Sequence, residues 1–391
     1  MIAAALHLAR CYVARHRAQS LLLAGAFALV TALPLCLRVL GQAVETVMRA
    51  RALSTPLVLG SRGSALDLML KALYFKQQPL PSLPTRYLAE VRSTGLAAAI
   101  PIDARFHAQG APIIGTEIEY FSFRHLRLAE GRMMTRLGDC VVGARLAQKR
   151  SLHPGSALFS SQEQVFDFAG VYPLKMRITG VLAPTGSADD EAVFVDLKTS
   201  RLISGAAHGH DDVAAQPESV LKQENGHTIA NASVRMYQEV TDENLSSFHF
   251  HGDENEQPLS AILILPQDAK SEALLAGRYL KESLPVHLIC PSEVFESLMS
   301  TLFQVERLLF LVLGITLAAA LAVSALVFTL SFRLRGREFQ TLSDLGISPA
   351  ALRLTKALEI ALVSGAGLLM AGGLTALAQL NAEAWVKWLL A

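Results

Sequence analysis

Two histidine pairs stand in one polar stretch of the chain. His208-x-His210 runs into Asp211-Asp212, His249-x-His251 is followed by Asp253, and His227 lies between the pairs. Imidazole is the commonest side-chain ligand for zinc, and a His-x-His spacing places two rings on one side of a strand. His208, His210, His249 and His251 would complete one tetrahedral zinc site, with the acidic neighbours orienting the rings. The same residues also read as a polar loop that takes up metal adventitiously. No H-E-x-x-H motif accompanies them, which excludes a zinc protease of that type.

Other chemistry-bearing patterns are missing from the sequence. It has no G-x-S-x-G elbow and no G-x-x-x-x-G-K-[ST], and Gly365-Ala366-Gly367 falls inside an apolar run. The chain is expected to be no enzyme and to bind no nucleotide of its own. Cys11, Cys36, Cys140 and Cys290 form no C-x-x-C, so a zinc ribbon or thioredoxin-type motif is excluded. Cys140 and Cys290 read either as a disulfide or as two separate buried thiols.

The elements that would position such residues follow from composition. Of 391 residues, 51% are hydrophobic and 18% charged, against roughly 45–50% and about 25% in soluble domains. Mean hydropathy is +0.35. A net charge of +1 leaves no basic excess for phosphates, so nucleic acid is not expected as a partner. This is the composition of a membrane protein with a soluble part.

Three apolar runs are long enough to cross a hydrocarbon core of ~30 Å. The first is uncharged from Ala18 to Leu37, the second from Leu308 to Phe332, and the third runs from Ile360 to Ala382. A cleaved signal peptide competes for the first, with Arg10, Arg15 and Arg17 as its basic region. Ile2 to Val13 reads as an amphipathic surface helix. In the third run, Gly367/Ala371 and Gly372/Ala376 have the small-xxx-small spacing that lets helices approach closely. Arginines before the first run, and Arg333, Arg335, Arg337, Arg353 and Lys356 between the second and third, predict that both places are cytoplasmic. The long stretch between the first two runs then lies outside. The spans show no continuous polar stripe, which argues against a conduction pathway.

The outer stretch reads as mixed α/β. Val141 to Ala147 is expected to be a short helix ending at Leu152-His153-Pro154-Gly155. Strands are expected at Val165–Val171, Leu174–Leu182, Ala192–Leu197, Ala261–Leu265 and Val286–Cys290, with a helix from Asp268 to Leu284. Residues 205–256 read as a long, exposed, weakly ordered insertion.

The segment Arg333-Leu334-Arg335-Gly336-Arg337-Glu338-Phe339-Gln340-Thr341-Leu342-Ser343-Asp344-Leu345-Gly346-Ile347-Ser348-Pro349 resembles the FtsX/MacB-type ABC transporter permease family, with Arg337, Glu338, Leu345, Gly346, Ser348 and Glu359 at matching positions. Two outer elements are similar to that family as well. One is Val141-Val142-Gly143-Ala144-Arg145-Leu146-Ala147 with His153-Pro154-Gly155; the other is Ile178-Thr179-Gly180-Val181-Leu182 with Asp189-Asp190 and Val193-Phe194-Val195. Family members usually carry four spans. Here Trp385 to Ala391 reads either as the end of a three-span variant or as the start of a fourth helix.

The apolar runs, the arginine placement and the resemblance together predict a membrane α-helical fold with three transmembrane helices and a large mixed α/β extracytoplasmic domain, in the bacterial inner membrane with a cytoplasmic N-terminus. The expected division is 1–17 amphipathic, 18–40 first span, 41–304 outer domain, 305–332 second span, 333–356 coupling segment, 357–382 third span and 383–391 outer tail. The resemblance also implies a permease subunit whose partner, a P-loop ATPase, hydrolyses ATP while the outer domain moves. Further partners would be a second copy or related permease subunit and a periplasmic protein or lipoprotein. Arg337, Glu338, Leu345, Gly346, Ser348 and Pro349 would carry the coupling, Gly346 ending one helix and Ser348-Pro349 starting a short rigid one to Leu354. The arginines read alternatively as lipid anchors. Glu359 would pair with Arg335 or Arg337, or stay solvated. A non-transporting scaffold that activates an outer partner, and a zinc-responsive transport component, are the alternative functions.

Overall fold

The structure, a computed structural model, describes residues 2–161, 173–209, 220–224, 227–230 and 237–390. It divides into a helical unit, Met1–Met48 with Ser297–Leu389, and a second unit comprising Arg49–Glu296.

In the helical unit, Ile2–Arg15 is followed by Arg17–Leu53, Pro291–Leu334, Gly336–Asp344 and Pro349–Leu390. Three of these, Arg17–Leu53, Pro291–Leu334 and Pro349–Ala382, contain stretches long and apolar enough to cross a membrane. Most of their leucines face outward, Leu22, Leu326 and Leu369 among them, as helices solvated by lipid tails require. Ala24, Phe328 and Val363 meet at the centre, with Leu23 and Phe332 packed around them. A Cβ on Gly367 would lie 2.7 Å from the Ala24 carbonyl and 2.8 Å from the Phe27 Cβ, so glycine there permits the close approach. Gly372 meets nothing within 4 Å. Of the two small-residue spacings, Gly367/Ala371 serves packing within the chain.

The second unit is built on a ten-stranded sheet. Its strands are β1 (Leu57–Ser61), β2 (Ala97–Ala108), β3 (Ala111–Thr116), β4 (Leu128–Gly131), β5 (Asp139–Val142), β6 (Ala157–Phe159), β7 (Lys175–Leu182), β8 (Val193–Asp196), β11 (Ala261–Pro266) and β12 (Val286–Ile289). A separate pair, β9 (Ala207–Gly209) and β10 (Phe248–Phe250), lies between β8 and β11 in the chain. The order across the sheet is β12-β1-β11-β2-β3-β8-β5-β7-β4, with β6 also on β7. Strand β3 runs parallel to β8, and β5 parallel to β7. Strand β11 is a continuous apolar run because both its faces are covered: Ala261, Ile262, Leu263 and Ile264 are all buried. Two cores form, one around Leu59, Ile262, Ile264 and Val286 and one around Ile113, Cys140, Met176 and Val195.

Several expectations change. Val141 to Ala147 is not one helix: Cys140–Val142 pair with β7 and β8 on either side, and the helix spans Ala144–Arg150. The helix expected to reach Leu284 is Ala269–Arg278, and Tyr279 ends it. The expected strand Val165–Val171 lies outside the described residues. The described parts of 205–256 are not simply a weakly ordered loop. They contain the β9–β10 pair and a second antiparallel pair, Val220–Glu224 with His227–Ala230. Ala207 and Phe248 pack against the sheet core, and that burial supports the first pair. Strands β1, β2 and β3 carried no strand expectation. β2 opens on three alanines and contains Pro101, both poor strand signals, and pairing on both edges overrides them.

Candidate functional site

The segment between the second and third membrane helices is a helix, a closed turn and a second helix start. Arg337 and Glu338 lie exposed in the first turn of Gly336–Asp344, which Phe339 holds down by burial. Leu345 follows, 75% exposed. Gly346 has φ +92°, a left-handed conformation that side chains resist. Its N–H donates to Ser343 and that of Ile347 to Leu342, at 3.0 and 3.1 Å. This pair of bonds is the Schellman arrangement, which satisfies the last carbonyls of a helix. Ser348 Oγ then accepts from Ala351 N at 3.3 Å, capping the next helix, and Pro349 stands at its first position. That helix does not stop at Leu354: it continues as Pro349–Leu390, the third membrane helix itself. No break separates Leu354 from the apolar run, so the two form one rod.

Behind this elbow Arg335 joins several elements of the helical unit. It reaches Glu338 at 3.1 Å and Glu359 at 3.0 Å, and its guanidinium lies 3.2 Å from the Tyr12 ring centroid. Tyr12 in turn bonds Ser331 at 3.1 Å. Glu359 is paired with Arg335 and buried, not solvated. Tyr12 was not among the expected site residues, because a lone tyrosine in an apolar helix carries no signal of its partner.

In the second unit a buried polar cluster sits where the helix Arg17–Leu53 ends. Arg51 donates to both oxygens of Asp189, at 2.5 and 3.0 Å, and to Tyr120 Oη at 2.9 Å. Tyr120 and Ser187 hydroxyls also donate to Asp189, at 2.6 and 2.8 Å. Burial alone would raise the Asp189 carboxyl, but Arg51 and these donors hold it at about 2. Burial pushes the Tyr120 hydroxyl up, which keeps it a donor. Asp190 ties the loop by accepting from Thr185 N and Gly186 N at 2.8 and 2.7 Å. Gly143 explains the outer glycine noted in the sequence, since its Cβ would fall 2.2 Å from the Asp189 carbonyl oxygen. Glycine therefore lets the Asp189 loop lie on the strand, and the loop presents Asp189 to Arg51.

Of the four expected zinc ligands, the structure brings His208, His249 and His251 together, their ligand atoms all within 4.8 Å of one another. His210 and Asp211-Asp212 lie outside the described residues. Cys140 and Cys290 are both free. Cys140 is buried in β5, and burial pushes its thiol up, leaving it inert; Cys290 is half-buried beside Ser292 Oγ at 3.1 Å.

Residues 40–232 match the family of the MacB-like periplasmic core domain. Among solved structures, the extracellular domain of the noncanonic ABC-type transporter YknZ from Gram-positive bacteria is 12% identical, with a TM-score of 0.33, covering 60% of this chain and 98% of that one. The periplasmic region of MacB from Actinobacillus actinomycetemcomitans is 11% identical, with a TM-score of 0.35, covering 65% and 95%. A domain of a putative permease protein from Porphyromonas gingivalis is 10% identical, with a TM-score of 0.28, covering 60% and 86%. No curated protein sequence matches the chain.

Proposed function

We infer from its MacB-like periplasmic core domain that this chain, a member of the FtsX/MacB-type ABC transporter permease family, is the membrane subunit through which a partner ATPase drives the extracytoplasmic domain. Three apolar helices and an extracytoplasmic domain make it an inner-membrane protein. The reading goes further: three passes, a cytoplasmic N-terminus, and the Arg337–Pro349 elbow on the ATPase side.

The observation that carries it is the elbow. Arg337 and Glu338 are exposed charges, Leu345 is an exposed apolar side chain, and all are fixed by a Schellman turn and an N-cap instead of a slack loop. A rigid knob of this kind passes a push without absorbing it. Because Pro349–Leu390 is one helix, displacement at Pro349 moves a membrane rod directly, as a hinge or shear motion. Arg335 ties the knob to that rod through Glu338 and Glu359.

At the outer side, Arg51 passes movement of its helix end to the sheet through Asp189 and Tyr120. The chain supplies no nucleotide-binding residues to this cycle; binding and hydrolysis of ATP fall to the partner. The work is done on an outer partner, for which a second permease copy, a periplasmic protein and a lipoprotein are the candidates.

The test is purification of the intact chain in mild detergent and identification of the chains that come with it. A P-loop ATPase is expected with the wild type and is lost on Arg337→Ala with Glu338→Ala, two exposed positions whose replacement leaves the helices folded. Absence of any ATPase from well-folded wild-type protein would sink the permease reading, and its retention by the double variant would move the docking site elsewhere.

A further inference from the structure

His208 in β9 and His249 in β10 are direct cross-strand partners. Strand alternation sends Ala207 and Phe248 into the core and these two histidines to the opposite face. His251, two residues beyond His249, returns to that face, and its N–H donates to the Ala206 carbonyl at 2.8 Å. Gly209 holds the strands close, since a Cβ there would lie 2.9 Å from the Phe248 ring. The result is a triangle of imidazoles with centroids 4.6 Å apart along every edge.

We propose that His208, His249 and His251 contribute three imidazoles to a binding site for a divalent transition-metal ion, zinc by ligand chemistry. Three imidazole nitrogens without a carboxylate among them suit zinc and its neighbours and not calcium or magnesium. Nitrogens at about 2.0–2.1 Å from a tetrahedral zinc stand about 3.3 Å from each other. In this structure the ligand atoms of the three rings lie within 4.8 Å of one another, so binding would draw them in by small ring rotations. His249 Nδ1 lies 3.1 Å from the Ser247 carbonyl. With Nδ1–H donating there, Nε2 carries the lone pair for the metal, the orienting hydrogen bond that metal-bound histidines use. Two of the three rings are half-buried and His251 is exposed, so the site is shielded at its base and open at its rim.

The site does not depend on the permease reading, and the two fail separately: ATPase capture tests one and metal binding the other. The full-length chain, purified in detergent through a tag that contains no histidine and stripped with a chelator, is titrated with Zn²⁺ against a chromophoric competitor. One high-affinity ion per chain is expected. Affinity falls about 100-fold or more in His249→Ala and in His208→Ala. The exposed His153→Ala control keeps wild-type affinity. Cobalt in place of zinc gives the visible absorption of a nitrogen-ligated, low-coordinate ion, and the triple variant His208→Ala, His249→Ala, His251→Ala lacks it. Amide exchange across β9 and β10 establishes that the variants keep the strand pair; if His249→Ala loses it, His249→Gln replaces that variant. Wild-type affinity in the triple variant, an equal loss in His153→Ala, or only weak and non-stoichiometric uptake by the wild type would each overturn the site.

Discussion

Asp189 is the residue on which the outer unit's attachment to its helix end turns. It is buried, accepts from Arg51, Tyr120 and Ser187, and is held at about 2 instead of its ordinary 3.8. A carboxyl depressed in the folded state adds stability that is complete above its unfolded value and disappears as pH falls through the folded one. The contribution is therefore present at neutral pH and lost between about pH 4 and pH 2, a change of about 2 kcal/mol. Acid unfolding followed by circular dichroism should show this loss in the wild type and not in Asp189→Asn. Arg51→Ala is expected to be worse than Asp189→Asn, by about 3–5 kcal/mol against the wild type, because it strands a buried carboxylate without its cation. Equal melting temperatures for Arg51→Ala and wild type would remove the cluster's structural role.

At the scale of elements, two glycines do different work. Gly346 closes the turn at φ +92°, so Gly346→Val costs about 1–2 kcal/mol locally. It should reduce ATPase capture while leaving the thermal stability of the outer unit unchanged. Ser348→Ala removes a single cap and should have a smaller effect on the same capture. Gly367 faces Ala24 and Phe27, so Gly367→Leu overpacks the helix contact and should destabilise the helical unit by about 1–3 kcal/mol. Gly372→Leu meets open space within the chain and should leave its melting curve in place. Identical curves for the two leucine variants would contradict the packing described for Gly367. The spacing Gly-xxx-Ala occurs twice in the third apolar run, and only the partner helix distinguishes the two.

For the whole molecule, the elbow proposed to meet an ATPase lies in the helical unit and the sheet domain in the other, and the chain passes between the units twice, through Arg17–Leu53 and Pro291–Leu334. If the proposed coupling holds, cutting the Arg335 contacts is expected to abolish partner-driven movement of the outer unit. Arg335→Ala removes the contacts to Glu338, Glu359 and the Tyr12 ring together. In reconstituted vesicles it should uncouple a bound ATPase: ATPase capture persists, while ATP no longer changes the protease or cross-linking pattern of the outer unit. An ATP-induced change as large as the wild type's would rule out Arg335 as a link.

Hydropathy located the three apolar helices by itself, because a hydrocarbon core admits only long apolar helices. Local rules also reached the elbow: Gly346, Ser348 and Pro349 act through their own backbone within a few residues, so their order in the chain is their structure. Strands β7, β8, β11 and β12 were legible for a similar reason, as short apolar runs between turn signals. Everything non-local waited for the fold. Strands β1 to β3 exist because neighbours pair with them, and alanines and a proline in β2 gave no local sign of it. Arg51 meets Asp189 across 138 residues of chain, and Arg335 chooses Glu359 through the packing of two helices. The histidine motifs announced their ligand chemistry, but a spacing of two says only that rings share a side. Bringing His208 opposite His249 required the register of β9 on β10, set by Ala207 and Phe248 packing into the core.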